Sequence, residues 1–160
     1  MMLPDGEYVV CLDTNVLIWM FESHRKNPAA SEMTGKALTL LNFVDRHGIR
    51  LGMSGVSLAE YLSVYPRERR LELMREIESI FEVYPFDIPA AEQCADIFYS
   101  HQHALKINYH GIRGILRPDL QIVASILTHC GKPLLITGDG PMSTWASEYL
   151  PAIKLSDLEL

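Results

Sequence analysis

Residues 8–21 read YVVCLDTNVLIWMF. Tyr8 to Leu12 is apolar and rich in β-branched residues, the pattern of a buried strand. The run breaks at Asp13-Thr14-Asn15 and resumes from Val16 to about Glu22 as the start of a helix. A carboxylate and two small polar groups thus stand between two pieces of core. In an open parallel sheet, ligands bind outside the carboxyl ends of the strands. Asp13 therefore has two readings: a metal ligand at such a strand end, or an N-cap for the helix that follows, a position that favours Asp.

The chain has 160 residues, enough for one domain (1–160) with a real core. Apolar residues make up 48% and charged residues 21%, the balance of a folded globular chain. A net charge of −6 argues against a general polyanion binder, because non-specific nucleic-acid affinity comes from neutralising phosphates. It leaves room for a nucleic-acid enzyme whose acids hold cations. Cys11, Cys94 and Cys130 are widely spaced, with no C-x-x-C pair, so buried reduced thiols are expected rather than a disulfide framework or zinc site. No apolar run is long enough to span a bilayer, and the opening MMLPDGEY lacks the pattern of a signal peptide. A cytoplasmic protein with no membrane association is the expectation.

Beyond the first strand and helix, Ser23 to Ala30 is expected to be a loop. A helix follows from Ser31 to His47-Gly48, with Ala37, Leu38, Leu41 and Val44 at helical spacing. Then come a strand (Ile49 to Met53), a helix (Ser54 to Val64) and a charged helix, RERRLELMREIESIF, with Leu71, Met74, Ile77 and Phe81 on one face. Val83 to Phe86 is a third strand and Pro89 to Leu105 a helix; Lys106 to Leu116 is a loop. A buried helix starts at Arg117-Pro118-Asp119, and Pro133 to Thr137 is a fourth strand. Gly138 to Pro141 is a turn, Met142 to Tyr149 a short helix, and Ala152 to Leu155 the last strand. Strands alternating with helices predict an α/β sandwich with a mostly parallel sheet.

Four acids fall where burial would be costly: Asp13 after strand one, Glu60 within SLAEYL, Asp119 opening the buried helix, and Asp139 just after PLLIT. An ionised carboxylate in a low dielectric persists only when paired or coordinated. Each also has a structural explanation. Ser57-x-x-Glu60 matches a capping box, Asp119 suits the positive end of a helix, and Asp139 fits an Asp-Gly turn. No basic residue stands alongside Asp13 or Glu60 to pair them. Between Ile97 and Gly138 the only acid is Asp119, among Lys106, Arg113, Arg117, Lys132, His101, His103, His110 and His129. A locally positive region around Asp119 is expected, suited to a phosphate-bearing substrate.

The set LDTNVLI, SLAEYL, RPDLQIVASIL and LLITGDGPM resembles the PIN domain, which includes the VapC-type toxins of toxin–antitoxin systems. The resemblance covers most of the chain and implies a three-layer α/β/α sandwich and a metal-dependent ribonuclease. It implies Mg²⁺ or Mn²⁺ held by Asp13, Glu60, Asp119 and Asp139, with Asn15 and Thr137 supporting the pocket. Such hard cations prefer oxygen ligands. Arg113 and Arg117 would then hold the RNA backbone. The toxin role further implies an antitoxin partner and a homodimer, with Trp19, Met20 and Phe21 either ordinary core or part of an interface. Met142 stands where many family members have an aromatic residue, and Asn108 to Leu116 looks longer than in the small toxins. Two other families with an acid after strand one fit less well. A haloacid-dehalogenase-like phosphatase needs a second Asp where Asn15 stands, and a receiver domain has only Asp87 near its third strand. A non-catalytic PIN-like module that binds RNA or protein is the reading from another class.

Overall fold

The computed structural model describes residues 8–21, 28–105 and 118–159. Five strands form one sheet in the order β3-β2-β1-β4-β5, every adjacent pair parallel. They are β1 (Val9–Leu12), β2 (Arg50–Ser54), β3 (Phe81–Tyr84), β4 (Pro133–Thr137) and β5 (Ala152–Lys154). The connecting helices are α1 (Thr14–Phe21), α2 (Pro28–His47), α3 (Gly55–Leu62), α4 (Arg67–Ile80), α5 (Ile88–Leu105), α6 (Pro118–His129) and α7 (Gly140–Ala146). The sandwich predicted from the alternation is the one observed, with the sheet wholly parallel.

Successive strand residues face opposite sides of the sheet, and the two cores follow that alternation. Val10 and Leu12 join Leu51, Met53 and Ile136 in a core with Leu17 of α1, Leu40 of α2, Tyr61 of α3 and Ile77 of α4. Val9 and Cys11 join Leu135 in a core with Cys94 and Ile97 of α5, Ile122 and Ile126 of α6, and Met142 of α7. β1 is buried along its whole length, as its continuous apolar run requires. Cys11, Cys94 and Cys130 are buried free thiols.

Several boundaries differ from the sequence reading, each for a local reason. Pro28 to Ala30 is helical, with Pro in the first turn, where its missing N–H costs nothing. The core face of α2 runs through Ala37, Leu40 and Val44, while Leu38 is exposed. Gly48, at φ +61°, ends α2 in the left-handed conformation that a side chain disfavours. The buried residues of α4 are Leu73 and Ile77, one turn apart, whereas Leu71 is 53% exposed. Phe81 leaves that helix to begin β3, which pairs Phe81 with Leu51 and so lies two residues earlier than expected. α7 starts at Gly140, because Asp139 caps it and Pro141 fits its first turn.

Candidate functional site

β1 and β4 are neighbours at the centre of the sheet, so their carboxyl ends deliver Asp13 and Thr137-Gly138-Asp139 to one place. The Asp13 N–H donates to the Ile136 carbonyl at 3.2 Å, extending the ladder one residue beyond β1. The Asp13 side chain is 3% exposed. Its Oδ1 accepts from the Asn15 N–H at 2.5 Å. Its Oδ2 accepts from the Thr137 hydroxyl and, at 3.3 Å, from the Gly138 N–H. The Asp13 carbonyl accepts from the Leu17 N–H at 3.2 Å, so Asp13 also caps α1. The cap and the strand-end position are therefore compatible.

Burial pushes the Asp13 pKa above the ordinary carboxylate value, while donors from Thr137, Asn15, Gly138 and Val16 pull it down. Burial wins. A hydrogen bond to a charged group is worth about 1.5–3 kcal/mol, and burying an ion costs several kcal/mol even after relaxation. The donors hold the carboxylate in position without fully offsetting its loss of water.

Thr137 is fully buried and links two acids. Its hydroxyl donates to Asp13 and accepts from the Asp139 N–H at 2.9 Å. Asp139 is the N-cap of α7, its Oδ1 accepting from the Met142 N–H at 2.7 Å. Met142, the residue in place of an aromatic, is buried with its sulfur 3.5 Å from the Thr137 hydroxyl. Glu60 is not part of a capping box. Ser54 caps α3 through the Val56 N–H at 3.1 Å, which leaves Ser57 inside the helix. The Glu60 Oε2 instead accepts from the Thr14 hydroxyl of α1 at 2.5 Å. Thr14, within residues 8–21, is thus a site residue that sequence pattern alone does not single out. Asp119 is the second residue of α6, half-buried at the positive end of that helix.

All four acids line one cleft of about 280 Å³, together with Thr14, Asn15 and Ile122. Among the described residues, no three acidic, imidazole or thiol side chains form a ready-made cluster for a metal ion. The donor chemistry still suits a hard cation, since every acidic group on the cleft is a carboxylate. An ionised carboxylate offers about four acceptor sites, and the bonds described for Glu60 and Asp139 each use one oxygen.

A family model described as the PIN domain matches residues 10–143. The chain belongs to the PIN domain family. No curated protein matches it significantly. Among the solved structures with chains of similar fold are three VapBC structures. One is VapBC2 from Rickettsia felis bound to a DNA fragment from its promoter, with a TM-score of 0.62, 15% identity, and coverage of 91% of this chain and 98% of that one. Another is DNA-bound VapBC from Salmonella typhimurium, with a TM-score of 0.58, 18% identity, and coverage of 93% and 99%. The third is VapBC-1 from nontypeable Haemophilus influenzae, with a TM-score of 0.61, 17% identity, and coverage of 93% and 99%. At these identities the likeness is one of fold.

Within this PIN fold, the expected positive region is divided. Lys132 precedes β4 and its carbonyl accepts from the Val9 N–H at 2.9 Å, which places it at the amino end of the sheet, away from the acids. His129 is ten residues along α6 from Asp119, about 15 Å by helical rise, and lies 3.0 Å from the Asp87 carboxylate. Sequence proximity put these residues near Asp119, and the run of α6 carries them away. Arg113, Arg117, Lys106 and His110 lie outside the described residues, as does the whole segment from Asn108 to Leu116. A cation not anticipated from sequence is Lys154, whose ammonium lies against Gly140, the residue after Asp139 in the chain. Met20 is buried core, and Trp19 and Phe21 pack half-buried against it. No helix among the described residues is long and apolar enough to cross a membrane.

Proposed function

We propose that this PIN domain is a metal-dependent endoribonuclease of the cytoplasm, hydrolysing phosphodiester bonds in RNA as the toxin of a toxin–antitoxin pair. The observation that carries the reading is the arrival of Asp13, Glu60, Asp119 and Asp139, from four separate elements, on one cleft at the carboxyl end of the sheet. Structural economy alone does not explain the set. Asp13, Asp119 and Asp139 each serve a helix start, but Glu60 serves none, and all four face the same space.

Asp13, Asp119 and Asp139 would hold Mg²⁺ or Mn²⁺, with Glu60 holding a second ion or orienting water. Such a cation supplies a better nucleophile from water and offsets charge on the phosphate in the transition state. The chain's own groups do the positioning. Thr137 and the Asn15 and Gly138 amides fix both oxygens of Asp13. Thr14 fixes Glu60 across the cleft mouth. Asn15, exposed on the cleft, is placed to bond to water or a phosphate oxygen. Arg113 and Arg117 would hold the RNA backbone. The structural neighbours are VapBC proteins by name, and the resemblance to VapC-type toxins implies that the chain would form a homodimer covered by an antitoxin.

RNA cleavage in Mg²⁺ or Mn²⁺ tests this reading. Asp13→Asn and Asp119→Asn should each lower the rate by at least about 100-fold, the scale of losing a metal-site group. Undiminished cleavage by both variants would overturn the site assignment. A wild-type chain that binds RNA but never cuts it would favour the binding-module alternative.

A further inference from the structure

Gly138 sits between Thr137 and Asp139, the two residues that tie β4 to the acid cleft. Its own N–H donates to Asp13. A methyl group added at Gly138 would lie 2.5 Å from Cη2 and 2.6 Å from Cζ3 of Trp19, and 3.1 Å from the Asn15 Cβ. Real side chains do not approach that closely, so the glycine exists here to admit the indole. Asn15 and Trp19 are four residues apart on α1 and share one face of that helix. That face therefore presses on the turn carrying one of Asp13's donors, while Asn15 supplies another through its backbone N–H. The indole packs half-buried against the core.

We propose that Trp19 is a positioning residue: its indole, seated on Gly138, sets the β4–α7 turn so that the Gly138 N–H and Thr137 hydroxyl stay on Asp13 and Asp139 faces the same cleft. The proposal rests on the metal-site reading above for its functional consequence, and on the Trp19–Gly138 contact for its geometry. Trp19 does not line the cleft, so its effect passes through Gly138. Core packing alone would make Trp19 a matter of stability. A positioning role makes the identities of residues 19 and 138 interdependent at the metal site.

The test is a double-variant cycle on the full chain, with each protein shown to be folded by circular dichroism at the temperature used. Mn²⁺ affinity is measured by calorimetry for wild type, Gly138→Ala, Trp19→Leu and the double variant. Gly138→Ala should weaken binding by at least about tenfold, because the methyl must displace either the indole or the turn. Leucine lacks the outer ring carbons, so adding Gly138→Ala to Trp19→Leu should cost no more than about threefold further. Effects that multiply to within roughly twofold would overturn the proposal. The Gly138 amide resonance supplies a readout independent of metal. In Trp19→Leu it should shift and exchange faster with solvent as its bond to Asp13 loosens, and an unmoved amide would overturn the proposal. If wild type takes up no Mn²⁺, the metal-site reading fails, and the amide resonance still decides whether Trp19 sets the turn.

Discussion

Thr137→Val removes one oxygen and keeps the shape of the side chain, so no cavity confuses the result. Two bonds go with that oxygen. The Asp13 carboxylate loses the Thr137 donor, and the half-buried Asp139 N–H loses an acceptor at 2.9 Å. A hydrogen bond to a charged group is worth about 1.5–3 kcal/mol, and an unsatisfied buried amide costs about 1–3 kcal/mol. Together the loss should be about 2.5–6 kcal/mol, read as a fall of roughly 5–20 °C in Tm for a domain of this size. The loss should also depend on pH. Burial already raises the Asp13 pKa, and Thr137 is the largest influence lowering it. Without Thr137 the folded-state pKa rises further. Stability then goes on falling to a higher pH than in wild type, since the folded variant releases its proton later. The variant should therefore lose most relative to wild type near neutral pH, and less as pH falls towards the ordinary carboxylate value of 3.8, where Asp13 is protonated in both proteins. Urea melts of both proteins across that range measure the difference. A deficit under about 0.5 kcal/mol, or one that grows as pH falls, would refute the role given to Thr137.

Other outcomes follow from the packing and from Glu60. Leu73→Ala should cost about 2–5 kcal/mol in urea melts, as a fully buried leucine does, while Leu71→Ala, on the exposed face of the same helix, should stay within about 0.5 kcal/mol; equal losses would contradict the face assigned to α4. Thr14→Val should slow RNA cleavage by about tenfold, in the range for a group that orients a metal-site carboxylate. In a Glu60→Gln background the same change should have little further effect, and independent effects of the two would separate Thr14 from Glu60.

Much of the architecture is written in short-range pattern. β1 and β4 are continuous apolar runs because both faces of a central parallel strand are covered, and α6 is apolar nearly all round because its residues 120 and 122–126 are all buried. Patterns at the rim of the structure are less decisive. In α4, Leu71 and Met74 satisfy a helical spacing as well as Leu73 and Ile77 do, and only the placement of β3 decides which pair is covered. The four acids stand out in the sequence, but the structure makes burial costly for Asp13 alone, since Asp119 and Asp139 are half-buried and Glu60 is exposed; their meeting on one cleft follows from the adjacency of β1 and β4 and from the way α3 and α6 abut that edge. What the chain order hid is long-range. Thr14 reaches Glu60 across 46 residues. Gly138 is a glycine because Trp19 lies against it, a contact between α1 and the end of β4. Lys132 and His129 are near Asp119 in sequence and far from it in space, while Lys154 reaches Gly140 from the edge strand β5.

The central claim is that the four carboxylates act together on a divalent cation. Calorimetric titration of Mn²⁺ into wild type and into Asp13→Asn, Glu60→Gln, Asp119→Asn and Asp139→Asn tests it most directly. Saturable binding in wild type, weakened by about tenfold or more in every variant, is the predicted result. No binding in wild type, or binding unchanged across all four variants, would contradict it.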